Sequence, residues 1–329
     1  MKTISWPVCG LFLAAAVVLP AQQGTLSGPV AGFVFDNSAH VLRPIHGVPG
    51  ASLLGDALAM GVDAAQVYVS PRQDSAFVIA NDQSMHLFAL NGGAPTEVSL
   101  GGISGTPVKV VFSPAGTALA LVAPGSARIL TGLPNAPVLS GSVKVEGLFL
   151  SMSTGAHSFH TSAPALAVSD DGNYALTVAQ GSVRLLSVQG QNRILMPAQA
   201  DALVAFAAGG HDAAVMDPAS GLTLIRDTIG AAGRQLLAPF DDGLAGAVGV
   251  AFSQDTQTVY VASSTAKAVA AFNLSGASRT AIGCNCTPET LAPMGNLFRL
   301  SELTTGPLWV LDGANAAPRT VFVPAHASN

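Results

Sequence analysis

Short runs of four to six apolar residues recur along the chain, and turn-forming residues separate them. The runs are rich in Val, Leu, Ala and Phe, and Gly, Pro, Ser and Asp flank them, which is the pattern of β-strands joined by tight turns. Beyond residue 21 no capped helix-period segment exceeds a turn or two, apart from short candidates such as 53–60. A parallel α/β fold needs helices between its strands, so the pattern predicts an all-β fold.

One arrangement repeats: a strand that ends in Ser or Ala, a short turn, and a second strand. We name the Ser or Ala that ends the first strand the anchor residue. Anchors lie at 70, 113, 169, 207 and 253, with separations of 43, 56, 38 and 46 residues, and a weaker sixth copy spans 297–311. This period is typical of a propeller blade, a four-stranded sheet that buries its faces only against neighbouring blades. The sequence therefore predicts a β-propeller.

The two ends of the chain decide how the predicted ring closes. Residues 32–45 form a hairpin that matches the third and fourth strands of a blade, and 319–324 form a last strand with no strand after it. An open ring would leave strand edges exposed, so the simplest closure completes the last blade with strands from both termini. We expect six blades. Seven blades are the alternative, if a degenerate unit such as 145–152 forms a blade of its own.

At the anchors the chain resembles the WD-repeat-like and YVTN-type β-propellers that bacteria export. The resemblance covers about 66–325 and rests on Tyr68-Val69-Ser70-Pro71, Phe112-Ser113-Pro114 and Ser169-Asp170-Asp171-Gly172-Asn173. The chain lacks the Trp-Asp ends and Gly-His starts of true WD repeats. It is also similar to uncharacterised secreted bacterial propellers that open with Phe-Val-Phe-Asp followed by Arg-Pro-Ile-x-Gly, here at 33–36 and 43–47.

The N-terminus has the pattern of a secretory signal peptide. Lys2 precedes an apolar run over 8–19, and Pro20-Ala21 follow it. A run this short does not span a bilayer, which takes ~20 residues. We expect 1–21 to be a cleaved signal peptide and 22–329 to be a single propeller domain, secreted or periplasmic, with no membrane span after cleavage.

Composition and charge narrow the function classes. Apolar residues make up 49% of the chain and charged residues 10%, which excludes a solvated, disordered chain. The net charge is −5, and a nucleic-acid partner would require clustered Lys and Arg. We therefore expect no nucleic-acid partner, and we expect a monomer.

Few side chains carry a pattern typical of catalysis or metal binding. Asp170-Asp171 and Asp241-Asp242 are adjacent pairs, and adjacent strand residues face opposite sides, so we interpret both pairs as turns and not as glycosidase acids. His157 and His160 form His-x-x-His in the longest interval between anchors, a weak candidate for metal ligands.

Two further motifs involve a serine and the cysteines. Residues 264–267 match the Ser-x-x-Lys of penicillin-binding enzymes, but they lie between two predicted strands, which favours a hairpin turn. Cys284 and Cys286 remain after signal cleavage; free thiols are one interpretation, and the exported setting favours an oxidised or inert pair, with a disulfide between them. We predict no catalytic residue, no cofactor and no metal.

A repeat with no catalytic constellation favours a binding or scaffolding module for a protein, a peptide or a glycan. The alternative is a lactonase-like or metal-dependent hydrolase with its site at the channel mouth, and a structural surface component is a third hypothesis. The side chains at the channel mouth discriminate between them. Three or more of Asp, Glu and His together would favour the enzyme, whereas an apolar or Gly-lined mouth would favour binding or structure.

Overall fold

The structure is a computed structural model that describes residues 28–90, 94–145, 165–276, 278–304, 306–314 and 317–325. Within these ranges every regular element is a β-strand, and the strands form seven antiparallel sheets. The all-β prediction is confirmed. The short helix candidate at 53–60 is wrong, because its first residues belong to a strand and the rest has no regular structure.

The sheets are the blades of a propeller, and in each blade the strands follow one another in sequence order. Blade 1 contains β1 (Val30–Asp36), β2 (Val41–Val48) and β3 (Ala51–Leu54). Blade 2 contains β4 (Ala64–Val69), β5 (Ser75–Ala80), β6 (Met85–Ala89) and β7 (Thr96–Val98). Blade 3 contains β8 (Lys109–Phe112), β9 (Ala118–Ala123), β10 (Ser126–Thr131) and β11 (Val138–Lys144). Blade 4 contains β12 (Leu166–Val168), β13 (Tyr174–Ala179), β14 (Ser182–Ser187) and β15 (Asn192–Pro197).

Three more four-stranded blades complete the ring. Blade 5 contains β16 (Leu203–Phe206), β17 (Ala213–Asp217), β18 (Gly221–Arg226) and β19 (Gly233–Ala238). Blade 6 contains β20 (Ala247–Phe252), β21 (Thr258–Ser263), β22 (Ala268–Asn273) and β23 (Ser278–Gly283). Blade 7 contains β24 (Ala292–Met294), β25 (Leu297–Arg299), β26 (Leu308–Asp312) and β27 (Arg319–Val323).

The prediction of six blades is wrong, because the structure has seven. The N-terminal hairpin forms β1 and β2, the first two strands of a blade and not its third and fourth, and β3 completes a three-stranded blade 1. The seventh blade therefore comes from the N-terminal hairpin. Of the proposed degenerate unit at 145–152, all but Val145 lies outside the described residues.

Closure of the last blade by strands from both termini is also wrong. Strand β27 pairs with β26 at the outer position of blade 7, so no position is left for an N-terminal strand. The ring closes instead by packing between blades 7 and 1. Val34 and Ile45 of blade 1 share a buried cluster with Leu297 and Val310 of blade 7.

The core is divided among seven buried clusters, one for each pair of neighbouring blades. Between blades 4 and 5, for example, Leu176 and Val178 pack with Val215 and Phe206. Because each sheet buries its faces only against its neighbours, no blade has a core of its own. The first strand of each blade lies innermost, and these seven inner strands surround the central channel.

The anchors are the first residues of tight turns between the first and second strands. The backbone N–H of Ser253 donates to the carbonyl oxygen of Thr258 at 2.8 Å, and the Ser253 hydroxyl accepts from the Thr258 N–H at 2.9 Å. Ser113 and Ser169 close their turns in the same way. The repeated serines thus hold strand reversals, and the turns of blades 2 to 6 lie together at one end of the channel, which we name the anchor mouth.

Candidate functional site

Two neighbouring cavities lie in the channel, and both are lined mainly by the inner strands. Seven edge strands that surround a channel leave backbone N–H and C=O groups facing it. The cavities share Pro71, Val111, Phe112, Leu166 and Pro293 in their walls, so they lie side by side.

The mouth cavity lies at the anchor mouth and has a volume of about 620 Å³. Its wall is mostly apolar, with Phe112, Val204, Val250 and Phe298 among the residues that line it. Small residues such as Ala208 lie where the inner strands turn back, and they leave the entrance open. Arg72, Ser253 and Gln254 supply polar groups in the wall.

The inner cavity continues along the channel with a volume of about 410 Å³. Phe33, Tyr68 and Met294 line it, together with Gln73, Lys109 and Arg299. The Gln73 amide is held on both sides: its Oε1 accepts from the Phe33 N–H at 2.6 Å and its Nε2 donates to the Ser70 carbonyl at 2.9 Å.

The cations in the two walls differ in their partners. Arg72 pairs with Asp74 at 2.6 Å, and Arg299 pairs with Glu302 at 2.5 Å. Within the described ranges, no carboxylate forms an ion pair with Lys109. Desolvation by burial lowers the pKa of Lys109, because removal from water disfavours its charged form.

Tyr68 lies on the inner strand of blade 2, next to the inner strand that carries Lys109. Desolvation by burial raises the pKa of Tyr68, and a backbone hydrogen bond at Val110 opposes that rise only in part. The Tyr68 hydroxyl therefore lies against the residue that follows Lys109, and it donates a 2.7 Å hydrogen bond to Oε1 of Gln66. The two side chains give the inner cavity a phenol and an ammonium group.

The carboxylates of Asp170 and Asp171 stabilise turns. Asp170 accepts from the backbone N–H groups of Ala115 in blade 3 and Gly209 in blade 5, both at 2.7 Å. It thereby ties the turns of three successive blades together at the anchor mouth. Asp171 accepts from the Asn173 N–H at 3.0 Å within its own turn. The two carboxylates thus have separate structural partners.

The other candidates are spread around the molecule. Asp241 pairs with Arg279 at the outer strand of blade 6. The prediction of a hairpin turn at 264–267 is confirmed, since these residues connect β21 and β22. Cys284 and Cys286 are joined in a disulfide with their Cα atoms 5.0 Å apart. His157 and His160 lie outside the described residues.

The described part of the chain brings no carboxylate and no imidazole to the walls of the two cavities. Among the same residues no group of three His, Cys, Asp or Glu side chains could hold a metal ion. No helix of the described ranges could cross a membrane. Within these ranges the mouth cavity is mostly apolar, the inner cavity has a mixed wall, and Lys109 has no ion-pair partner.

Sequence reasoning missed Lys109 and Tyr68. They are 41 positions apart in the chain, and only the packing of blade 2 against blade 3 brings them to one cavity. One local signal was available: Lys109 opens a strand that is otherwise apolar, Val110-Val111-Phe112. A lysine that interrupts the inner strand of a predicted blade is a candidate for the channel wall.

No family model matches the chain, and no curated protein matches it. Among solved structures it is similar to a functionally unknown protein from Desulfotomaculum acetoxidans DSM 771, with a TM-score of 0.55 and 14% sequence identity over 89% of this chain and 99% of that one. At this identity the similarity shows the fold alone, a β-propeller.

Proposed function

We propose that the protein is a binding module that takes an apolar ligand into its central channel through the anchor mouth. The observation that carries the proposal is the mouth cavity, which measures about 620 Å³ and has a mostly apolar wall. Ligand sites in proteins are typically apolar clefts of about 300–1,000 Å³ with a few fixed polar groups. The channel has this size and this lining.

The sequence leads us to expect a protein, a peptide or a glycan as the ligand, and the apolar lining favours an apolar peptide segment over a glycan. A glycan carries many hydroxyl groups, and each hydroxyl that leaves water without a hydrogen-bond partner weakens binding. The side chains of Phe112, Val204 and Val250 offer no such partners. An apolar peptide segment or another compact apolar group gains from burial against them at roughly 25 cal/mol per Å².

Export belongs to the same proposal. The signal-peptide pattern of 1–21 and the resemblance to exported YVTN-type propellers support a secreted or periplasmic monomer. Sequencing the N-terminus of the exported protein is expected to read from Gln22, and size-exclusion chromatography with light scattering is expected to give one chain per particle.

The binding test uses an uncharged apolar dye, N-phenyl-1-naphthylamine, whose fluorescence rises in apolar surroundings. Ala208 lines the mouth cavity, so Ala208→Trp places a large ring in the entrance. Ala219→Trp is the matched control, because Ala219 is exposed in the turn between β17 and β18 of the same blade. We expect saturable binding at one dye per chain, lost in A208W and kept in A219W. A dye that binds both variants like the wild type would contradict the proposal.

A further inference from the structure

Lys109 stands out because its charge has no compensation. Three cations line the two cavities within the described residues, and the other two, Arg72 and Arg299, have carboxylate partners. The Lys109 side chain is only partly exposed, and the cavity that it lines has polar residues such as Gln73 and Thr290 beside apolar ones such as Phe112 and Leu166.

A partly buried ammonium group without an ion-pair partner is unfavourable for the protein without ligand. A charge removed from water without a partner destabilises the folded state, and a carboxylate brought to it recovers much of that free energy. The charge of Lys109 therefore favours a ligand that carries a carboxylate. A neutral apolar ligand would fill the cavity but would leave the ammonium group unpaired.

Resting on the proposed function, we infer that the ligand is an apolar monocarboxylate whose carboxylate pairs with Lys109 while its apolar part fills the channel. The Tyr68 hydroxyl lines the same cavity, but it donates its one proton to Oε1 of Gln66, so Lys109 is the donor for the carboxylate. The inner and mouth cavities share Phe112 and Leu166 in their walls, so an apolar part that extends past these residues enters the mouth cavity.

Two kinds of ligand combine an apolar part with one carboxylate: an alkyl carboxylate and an apolar peptide with a free C-terminus. The test therefore has two arms, run as calorimetric titrations of the full chain after signal removal. One arm compares dodecanoate with dodecanol, and the other compares Ala-Leu-Val-Leu with a free C-terminus and with an amidated one. Each pair differs in its anionic group and shares its apolar part.

Three variants test how much the ammonium group of Lys109 contributes to binding. Lys109→Met keeps the length and removes the charge, and Lys109→Arg keeps a cation. Lys144→Met is the control for a lost surface charge, because Lys144 is exposed on the outer strand of the same blade. In the wild type we expect the carboxylate form of at least one pair to bind about tenfold more tightly than its neutral form, as for a charge-assisted hydrogen bond.

The outcomes separate this inference from the proposed function. A carboxylate preference that K109M loses and that K109R and K144M keep supports the inference, and the arm that shows it identifies the source. Equal binding of both forms, or a preference that survives in K109M, overturns the inference and leaves the proposed function standing. If the wild type binds neither the dye nor any of these ligands, the proposed function fails and the inference fails with it.

Discussion

Replacement of Gly172 by Ala tests the contact between blades at the anchor mouth. Gly172 lies in the anchor turn of blade 4 with a φ of +66°, and a Cβ atom there would lie 2.1 Å from Cγ2 of Thr131 in blade 3. Gly181 lies in the β13–β14 turn of the same blade with a φ of +70°, and a Cβ there would meet nothing within 4 Å. The two glycines share their backbone conformation and differ in their surroundings.

The magnitudes follow from that difference. Placing an alanine in the left-handed region costs about 1–2 kcal/mol, and this applies to both variants. The clash with Thr131 adds roughly 1–3 kcal/mol to G172A, because a packed interface yields only by shifting side chains or backbone. We therefore expect G181A to lower the free energy of unfolding by about 1–2 kcal/mol and G172A to lower it by about 2–5 kcal/mol.

Urea unfolding followed by circular dichroism measures both values, with unchanged slopes as the sign of an unchanged denatured state. A second variant checks the cause: Thr131→Ala in the G172A background removes the clashing methyl group, so the double variant is expected to recover much of the extra loss. Equal losses in G172A and G181A, or no recovery with T131A, would refute the packing of blade 4 against blade 3 at this turn.

Three other predictions concern single side chains. Thr256 has a φ of +58° at the position where Gly116 and Gly172 have a positive φ in their own anchor turns. Thr256→Gly is expected to raise the free energy of unfolding by about 0.5–1 kcal/mol in urea titrations, and a loss of stability would count against this. Burial raises the pKa of Asp36, but hydrogen bonds from Ser38 and Arg43 and from the backbone hold it below its ordinary 3.8. The stabilising effect of the Asp36 carboxylate is therefore present above about pH 4 and disappears as the pH falls through the lower pKa of the folded state. Unfolding curves across this range are expected to show Asp36→Asn about 3 kcal/mol less stable than the wild type near neutral pH, with a smaller difference in acid, and a difference that stays constant with pH would contradict this. Lys109→Met is expected to stabilise the ligand-free protein by about 1 kcal/mol in thermal unfolding, because an unpaired buried charge is removed; a destabilised variant would mean that the ammonium group has a partner.

The sequence predicts blades 2 to 6 well because their first two strands carry local signals. An anchor serine or alanine, a turn former and two apolar runs define a strand reversal whatever surrounds it, and the structure has such a turn at every anchor. The blades at the ends of the chain lack this signal. The run 33–36 resembles the third strand of blade 2, and nothing in four residues tells an inner strand from an outer one.

Blade 7 shows the same limit. Its inner strand, β24, has three residues including Pro293, so the apolar alternation that marks an inner strand is missing. Proline is tolerated there because the unpaired side of an edge strand needs no N–H donor. The predicted sixth copy at 297–311 therefore begins one strand late, because its first run contains β25, the second strand of blade 7.

The candidate site could not be predicted from the sequence for a different reason. Its walls come from strands of several blades, and the only local signal of a side chain such as Lys109 is the apolar strand that it opens. Asp170 is similar, since its acceptor role depends on Ala115 and Gly209, two blades apart. Such groups meet only when the ring is closed, so their roles follow from the number and order of the blades.

A crystal structure of the protein soaked with dodecanoate tests the central claim most directly. We expect seven blades, an alkyl chain in the channel between the inner strands, and a carboxylate within hydrogen-bond distance of Lys109 Nζ. A channel that stays filled with water while the fatty acid lies on an outer surface would contradict it, and so would a ring with a different number of blades.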